Sequence, residues 1–270
     1  GFPFITGPRH GKEAVNPVNH VLPAWDAITG VTAALGILAA ERQRRITGQG
    51  QYIKLPLADV AFAMVGHLGY IAEVQINDED RQSSGNYLYG AYGSEFETSD
   101  GRIVYVVAIT PRQWRAVGEA TGLLQRLATI ESLLEVDLSR EGDRFRAREI
   151  ITAVLAPWFR QRTLEEVQKT FEGTAVCWGP YQTFRQMVEQ DPRCSARNPL
   201  FSTLEQPGIG SYLVPGSPLQ FSGQERLSPR RAPTLGEHTD EVLSDVLHLS
   251  DAQIGKLREK HVVAGPIELS

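Results

Sequence analysis

The sequence predicts an α/β chain of two domains, and three observations predict it. Residues 27–75 read as helix, strand and helix in succession. Residues 87–109 turn aromatic and β-branched and carry an Asp100-Gly101 pair, which signals a tight hairpin. A polar stretch, 77–85, separates the two and marks a boundary. The expected organisation is a large-domain segment over 1–80, a small α+β domain over 81–215, and a linker with C-terminal helices over 216–270.

Each element follows from its pattern. Ile28, Val31, Leu35 and Leu38 recur at helical spacing, so 27–45 is a helix with an apolar stripe, and Thr47-Gly48-Gln49-Gly50 turns the chain after it. A strand is expected at 51–57 and then a helix to about residue 75. The run 57–74 is the most apolar in the chain, yet Asp59, His67 and Glu73 interrupt it, which makes it a buried helix and not a membrane span. Strands at 87–98 and 102–109 form the hairpin, with Tyr87, Tyr89 and Tyr92 read as strand packing residues. Helices follow at 111–121, 143–162 and 164–171, the last opened by the capping box Thr163-x-x-Glu166. A short buried strand at 175–180 and a helix at 181–189 continue the small domain, and Trp114, Trp158 and Trp178 are assigned to its core. From Gln206 onward Gly and Pro rise, and residues 228–233 read as an extended linker. Thr239 is expected to cap a helix, and Ser250-x-x-Gln253 is a second capping box.

Composition narrows the function. A net charge of −5 gives no electrostatic footprint for nucleic acid. The Arg-rich stretch at 41–45 sits at the end of a helix, where cations complement the dipole, and reads as a solvated helix end. Only two cysteines occur, Cys177 and Cys194, without paired spacing, so neither a disulfide nor a metal site is expected, and the reducing cytoplasm is the expected compartment.

Asp26 is the residue with the clearest chemical potential. It follows Leu22-Pro23-Ala24-Trp25 and stands at the start of the first long helix. A carboxylate there faces the positive end of the helix dipole and unpaired backbone N–H groups, which favour its ionised form. Two readings stay open at this level: a nucleophile, or an N-cap.

The longer pattern after Asp26 bears on that choice. Gly36-Ile37-Leu38-Ala39-Ala40, Thr47-Gly48-Gln49-Gly50-Gln51 and Ala58-Asp59-Val60 follow it, and later come the stretch from Asn86 to Gly101, Gly216-Ser217-Pro218 and Ala232-Pro233-Thr234-Leu235-Gly236-Glu237-His238-Thr239. As a set these segments resemble the family III CoA-transferases, the group of formyl-CoA transferases, carnitine CoA-transferases and 2-methylacyl-CoA racemases. Asn19 to Asp26, Gly66-His67-Leu68-Gly69, Gly85 to Gly90 and Glu205 to Tyr212 further resemble the members that move CoA between the two carboxyls of one branched, unsaturated C5 dicarboxylate.

The resemblance implies a fold with a Rossmann-like large domain, partial here, plus a small α+β domain to which the C-terminal helices return. It implies Asp26 as nucleophile, passing through an aspartyl anhydride and an aspartyl-CoA thioester. It implies an acyl-CoA thioester as substrate, no cofactor beyond the CoA that the substrate carries, no metal, no nucleic acid or membrane partner, and a homodimer. Family members carry the CoA-nucleotide contacts ahead of the catalytic Asp, and that half is expected on the same gene product or on a separate chain. Where the family has a glycine-rich loop, this chain has Ser83-Ser84-Gly85-Asn86 with a single glycine. Gly85, Asn86 and Tyr87 are therefore assigned to a substrate-binding wall, with an ordinary interdomain turn as the alternative.

The remaining polar residues receive blander readings. His20 is expected at the surface or hydrogen-bonded, His67 in a core or interface, and Glu237 with His238 ahead of a helix cap. Intermolecular transfer to a free carboxylate, epimerisation by proton shuttling, and a non-catalytic interaction half are the other functions carried forward.

Overall fold

The computed structural model of the chain describes residues 1–7 and 17–266. They divide into two compact units, Gly1–Tyr181 and Gln182–Ser270.

The first unit opens with a four-residue helix, α1 (Phe2–Ile5), followed by α2 (Ala24–Thr47), α3 (Leu57–His67) and α4 (Tyr70–Asn77). α2 has 24 residues, about 36 Å at 1.5 Å per residue. It stops at Gly48, whose left-handed conformation (φ +74) lets its N–H bond back to the Arg44 carbonyl at 2.8 Å. Arg44 and Arg45 in the last turn both pair with Glu41 and remain exposed, so the Arg-rich stretch is a solvated helix end.

α2 forms where its periodicity places it, and its apolar stripe is largely exposed. Of the apolar stripe only Ile28 is half-buried, while Val31, Leu35 and Leu38 are 72%, 67% and 67% exposed. The half-buried side consists instead of small residues, Thr29, Thr32, Ala33, Gly36 and Ala40, with Ile53 lying over Gly36. A 3.6-residue period reports which side of a helix is apolar and not what covers it.

Two expectations fail in this segment. Residues 51–56 form no strand, because an extended run needs a ladder partner and no strand lies beside it among the described residues. The helix expected from there to about residue 75 is broken at Leu68-Gly69, where Gly69 takes φ +83 and the two axes bend by 57°. Val60 is the one buried residue of the pair and Phe62 is 69% exposed, so it is not a buried helix. No single described helix is long and apolar enough to cross a membrane.

The core lies further along. β1 (Tyr92–Glu97) and β2 (Ile103–Ala108) pair antiparallel with Tyr92 opposite Ala108 and Phe96 opposite Val104; β3 (Cys177–Pro180) adds to the far edge of β2. Between β2 and β3 the chain forms α5 (Pro111–Thr121), α6 (Leu124–Leu134), α7 (Glu141–Arg146), α8 (Arg148–Arg160) and α9 (Leu164–Phe171). Tyr92, Phe96, Val104, Val106 and Ala108 bury one face of the sheet with Ile151, Leu155 and Phe159 of α8. Phe159 stacks on Phe96 at 4.3 Å and Trp158 on Phe171 at 5.5 Å. Each fully buried aliphatic or aromatic side chain here contributes roughly 1.5–3 kcal/mol.

The expected hairpin is present and its turn does a second job. Gly101 takes φ +70, and the Asp100 carboxylate accepts from Thr98 Oγ1 at 2.6 Å and from the Leu164 N–H at 3.2 Å. Those two bonds hold the Asp100 carboxyl below its usual range, the Thr98 hydroxyl more strongly. The capping box at Thr163 and Glu166 forms as expected, so Asp100 and Thr163 together close the start of α9. Arg144 is fully buried and donates to the carbonyls of Leu138 (2.8 Å), Ser139 (2.9 Å) and Ile109, which joins the end of β2 to the approach to α7.

Several details correct the sequence reading. Tyr92 lies in β1, but Tyr87 and Tyr89 fall in the turns before it. The helix expected at 143–162 is two, α7 and α8, parted at Ala147. β3 is an edge strand with Cys177 exposed, not a buried strand. Trp158 is buried, while Trp114 and Trp178 pack half-buried against the core.

The second unit contains α10 (Phe184–Gln190), β4 (Phe201–Gln206), β5 (Gly210–Pro215), α11 (Thr239–Glu241) with a π-helical turn over Val242–Val246, and α12 (Asp251–Glu259). α10 begins three residues later than expected, because Thr183 and Gln186 form its capping box. The β4–β5 hairpin was not expected from the sequence; Gln206 closes it to the Gly210 register and is itself buried. Its amide donates to the Ala232 carbonyl at 3.2 Å and accepts from the Ala232 N–H at 3.0 Å, as a neighbouring strand would. The N-cap of α11 is His238, without a side-chain bond, and not Thr239. Ser250 and Gln253 form the second capping box as expected.

Candidate active site

Asp26 is the third residue of α2, and the N-cap is Pro23, so the N-cap reading of Asp26 is overturned. The carboxylate lies in the first turn and is exposed. Among the described residues it accepts no hydrogen bond and pairs with no cation, which leaves both oxygens available for chemistry at the positive end of the helix dipole.

Its immediate neighbour is anchored. Trp25 packs on Phe2 with ring centroids 5.6 Å apart, and Phe2 meets the edge of Tyr70, at the start of α4, at 5.3 Å. Beyond Tyr70 stands Arg81, whose guanidinium lies 4.5 Å from the Tyr70 ring and 3.7 Å from the Tyr89 ring. Glu73 holds the same guanidinium through Nε at 3.3 Å and Nη2 at 2.6 Å. Tyr89 continues to Phe145 at 5.0 Å, and Arg148 lies over Phe145 at 4.3 Å and Tyr87 at 5.5 Å. An unbroken series of aromatic and cation–π contacts thus joins the Asp26 turn to the assigned wall.

Gly85, Asn86 and Tyr87 line one cavity of about 400 Å³ together with Ser83, Ser84, Glu95, Arg148 and Glu149. The three assigned residues are thus brought together, whereas Asp26 does not line this cavity. Glu95 on β1 and Arg148 at the first position of α8 escaped the sequence reading, since they lie far along the chain from the wall and belong to no local motif. Glu95 Oε2 and Arg148 Nε are buried without a hydrogen-bond partner. A larger cavity of about 790 Å³ opens between α5 and α6, but none of the assigned residues reaches it.

The wall is held to the sheet by Tyr105 of β2, whose hydroxyl donates to the Asn86 carbonyl at 2.6 Å. Burial, followed by the neighbouring Tyr181 and Glu95, pushes the Tyr105 hydroxyl up to about 12, so it stays a proton donor at neutral pH.

The other polar residues resolve as follows. His20 is exposed, with Nε2 3.1 Å from Thr6 Oγ1, in keeping with a surface, hydrogen-bonded role. His67 is exposed at the end of α3 and is not a core residue. Glu237 is committed to Arg231, at 2.6 and 2.8 Å, and to the Thr234 N–H at 2.7 Å, which pull its carboxyl down to about 2. It precedes the α11 cap and is not free to form a catalytic pair with His238.

Comparison with known proteins bears on these features together. The chain is 56% identical over 98% of its length to the 2-methylfumaryl-CoA isomerase of Chloroflexus aurantiacus, of which it spans 64%. It is 28% identical over 97% of its length to the human succinyl-CoA:glutarate CoA-transferase, spanning 57% of that protein. Among solved structures, a CAIB/BAIF family protein from Brucella suis has the same fold over 91% of this chain and 60% of its own, with a TM-score of 0.63 at 19% identity. The chain therefore spans somewhat under two thirds of the relatives it matches. The pattern of CoA-transferase family III extends over residues 1–239, from the helix that carries Asp26 through the wall and the sheet to the Glu237 turn, and the chain belongs to CoA-transferase family III.

Proposed function

We propose that the chain is part of an enzyme that moves CoA between the C1 and C4 carboxyls of mesaconate, converting 2-methylfumaryl-CoA to its 3-methylfumaryl isomer. The observation that carries this reading is the uncommitted Asp26 carboxylate in the first turn of α2. The choice of substrate is supported by the 56% identity to the isomerase, twice the identity to the human transferase.

In this reading an Asp26 oxygen attacks the thioester carbonyl, the C–S bond breaks and CoA leaves as thiolate, giving a mixed anhydride. The thiolate attacks the aspartyl carbonyl and expels the dicarboxylate, which leaves an aspartyl-CoA thioester. The dicarboxylate turns and attacks that carbonyl with its other carboxylate, releasing thiolate again. Attack of the thiolate on the acyl carbonyl of the second anhydride forms the product and restores Asp26. Two covalent intermediates divide one difficult exchange into easier steps.

The test mixes unlabelled 2-methylfumaryl-CoA, isotope-labelled free mesaconate and the full-length protein. Isomerisation without label in the thioester is the expected result. Label entering at the turnover rate identifies an intermolecular transferase, and absence of isomerisation refutes the substrate assignment.

A further inference from the structure

The first turn of α2 carries Asp26 with little of the usual support. Its N-cap, Pro23, makes no side-chain cap bond, and the Ala27 N–H closes the turn onto the Pro23 carbonyl at 3.1 Å. An uncapped helix end frays, and a nucleophile on a fraying turn approaches its target at no fixed angle.

The residue before Asp26 supplies a hold from the side. Trp25 is half-buried with its ring 5.6 Å from Phe2 of α1, and Phe2 in turn meets the edge of Tyr70 at 5.3 Å. The stretch leading to Asp26 rests on residues 1–7 at two further points: the Val18 N–H donates to the Pro3 carbonyl at 2.8 Å, and His20 Nε2 stands 3.1 Å from Thr6 Oγ1. Residues 1–7 are themselves tied down. Thr6 Oγ1 donates to the Phe2 carbonyl at 2.8 Å, and Ser83 Oγ donates to the Gly7 carbonyl. Phe2 thus stands between the Asp26 turn and α4, where Arg81, held by Glu73, secures the Tyr70 ring.

We infer that Trp25 is a positioning residue for the CoA transfer: its packing on Phe2 fixes the rotation of the first turn of α2, and with it the approach of the Asp26 carboxylate to the thioester carbonyl. This rests on the function proposed above. Leucine in its place keeps a helix-forming, apolar residue but ends the ring contact. The turn then rotates more freely, and the carboxylate spends less time in the orientation from which it attacks.

The experiment measures kcat, KM and melting temperature of the full-length protein, together with the single-turnover rate constant for trapping Asp26 from 2-methylfumaryl-CoA at saturating hydroxylamine. Trp25→Leu is expected to lower kcat and the trapping rate constant by the same factor, about tenfold or more, with KM within about threefold of the parent. Trp25→Phe restores both rates to within about threefold. Phe2→Leu reproduces the loss and serves if Trp25→Leu does not fold; the two combined lose no more than either alone, as members of one contact. A merely structural role lowers the melting temperature and the amount of trappable Asp26 while leaving the rate constants per folded molecule unchanged. Rate constants within about threefold of the parent in the folded Leu variants, a raised KM at parental kcat, or losses that multiply in the double variant overturn the inference. Turnover by Asp26→Asn removes the proposed nucleophile and this inference with it, whereas an inactive Asp26→Asn beside a Trp25→Leu of parental rate overturns the positioning role alone.

Discussion

The guanidinium of Arg81 lies 3.7 Å from the ring centroid of Tyr89 and 4.5 Å from that of Tyr70, so one side chain joins α4 to the segment that leads into the sheet. Glu73 orients it through two oxygens, and both side chains are about four-fifths shielded from water. A planar, forked cation suits this place and an ammonium does not.

Arg81→Met is therefore expected to destabilise the full-length protein by about 2 kcal/mol, through lost stacking and an unpaired Glu73. Arg81→Lys should recover less than half of that loss. Urea midpoints of the three proteins check this, and equal stability of the Met variant and the parent would remove Arg81 from the account.

Arg144 offers a more severe test. It is fully buried and donates to three carbonyls, of Leu138, Ser139 and Ile109. Arg144→Met leaves the Leu138 carbonyl buried without this partner and removes the links to Ser139 and Ile109, at a cost of about 3 kcal/mol. Thermal unfolding of the variant should show a fall of several degrees, or no folded protein at all.

Acid should weaken the second unit in a defined window. The Glu237 carboxyl, held by Arg231 and then by the Thr234 N–H, titrates at about 2 in place of its ordinary 4.5. The unfolded chain therefore takes up this proton at a higher pH than the folded one, and the stabilisation is complete above 4.5 and disappears as the pH falls to about 2. Glu237→Gln should flatten that part of a melting-temperature profile. Asp191, held by Arg193 and also lowered to about 2, keeps a residual slope in the variant.

Asp26→Asn separates chemistry from stability. The amide cannot form an anhydride, so turnover should fall by several orders of magnitude, while loss of a charge in the first turn of α2 costs about 0.3–1 kcal/mol. A variant that turns over near the parental rate would end the nucleophile assignment. Hydroxylamine trapping of the parent, read by mass at Asp26, gives the complementary positive result.

Much of this protein is written locally. The helix from Ala24 to Thr47, the Asp100-Gly101 hairpin and the capping boxes at Thr163 and Ser250 follow from spacing and turn chemistry within a few residues. Asp26 and the 85–87 segment could be singled out as candidates from the sequence because each belongs to a contiguous motif. Only the tertiary structure decided the rest. The spacing of Val31, Leu35 and Leu38 predicts the helix, but that these side chains are exposed is decided elsewhere, since periodicity is a property of one helix and burial a property of two surfaces. Residues 51–56 carry strand composition without a strand to pair with, and ladder hydrogen bonds require a partner. Arg148, Glu95 and Tyr105 gather around Asn86 from α8, β1 and β2, at separations no local pattern encodes. They meet because the antiparallel register places Glu95 opposite Tyr105 and the core packs α8 across β1.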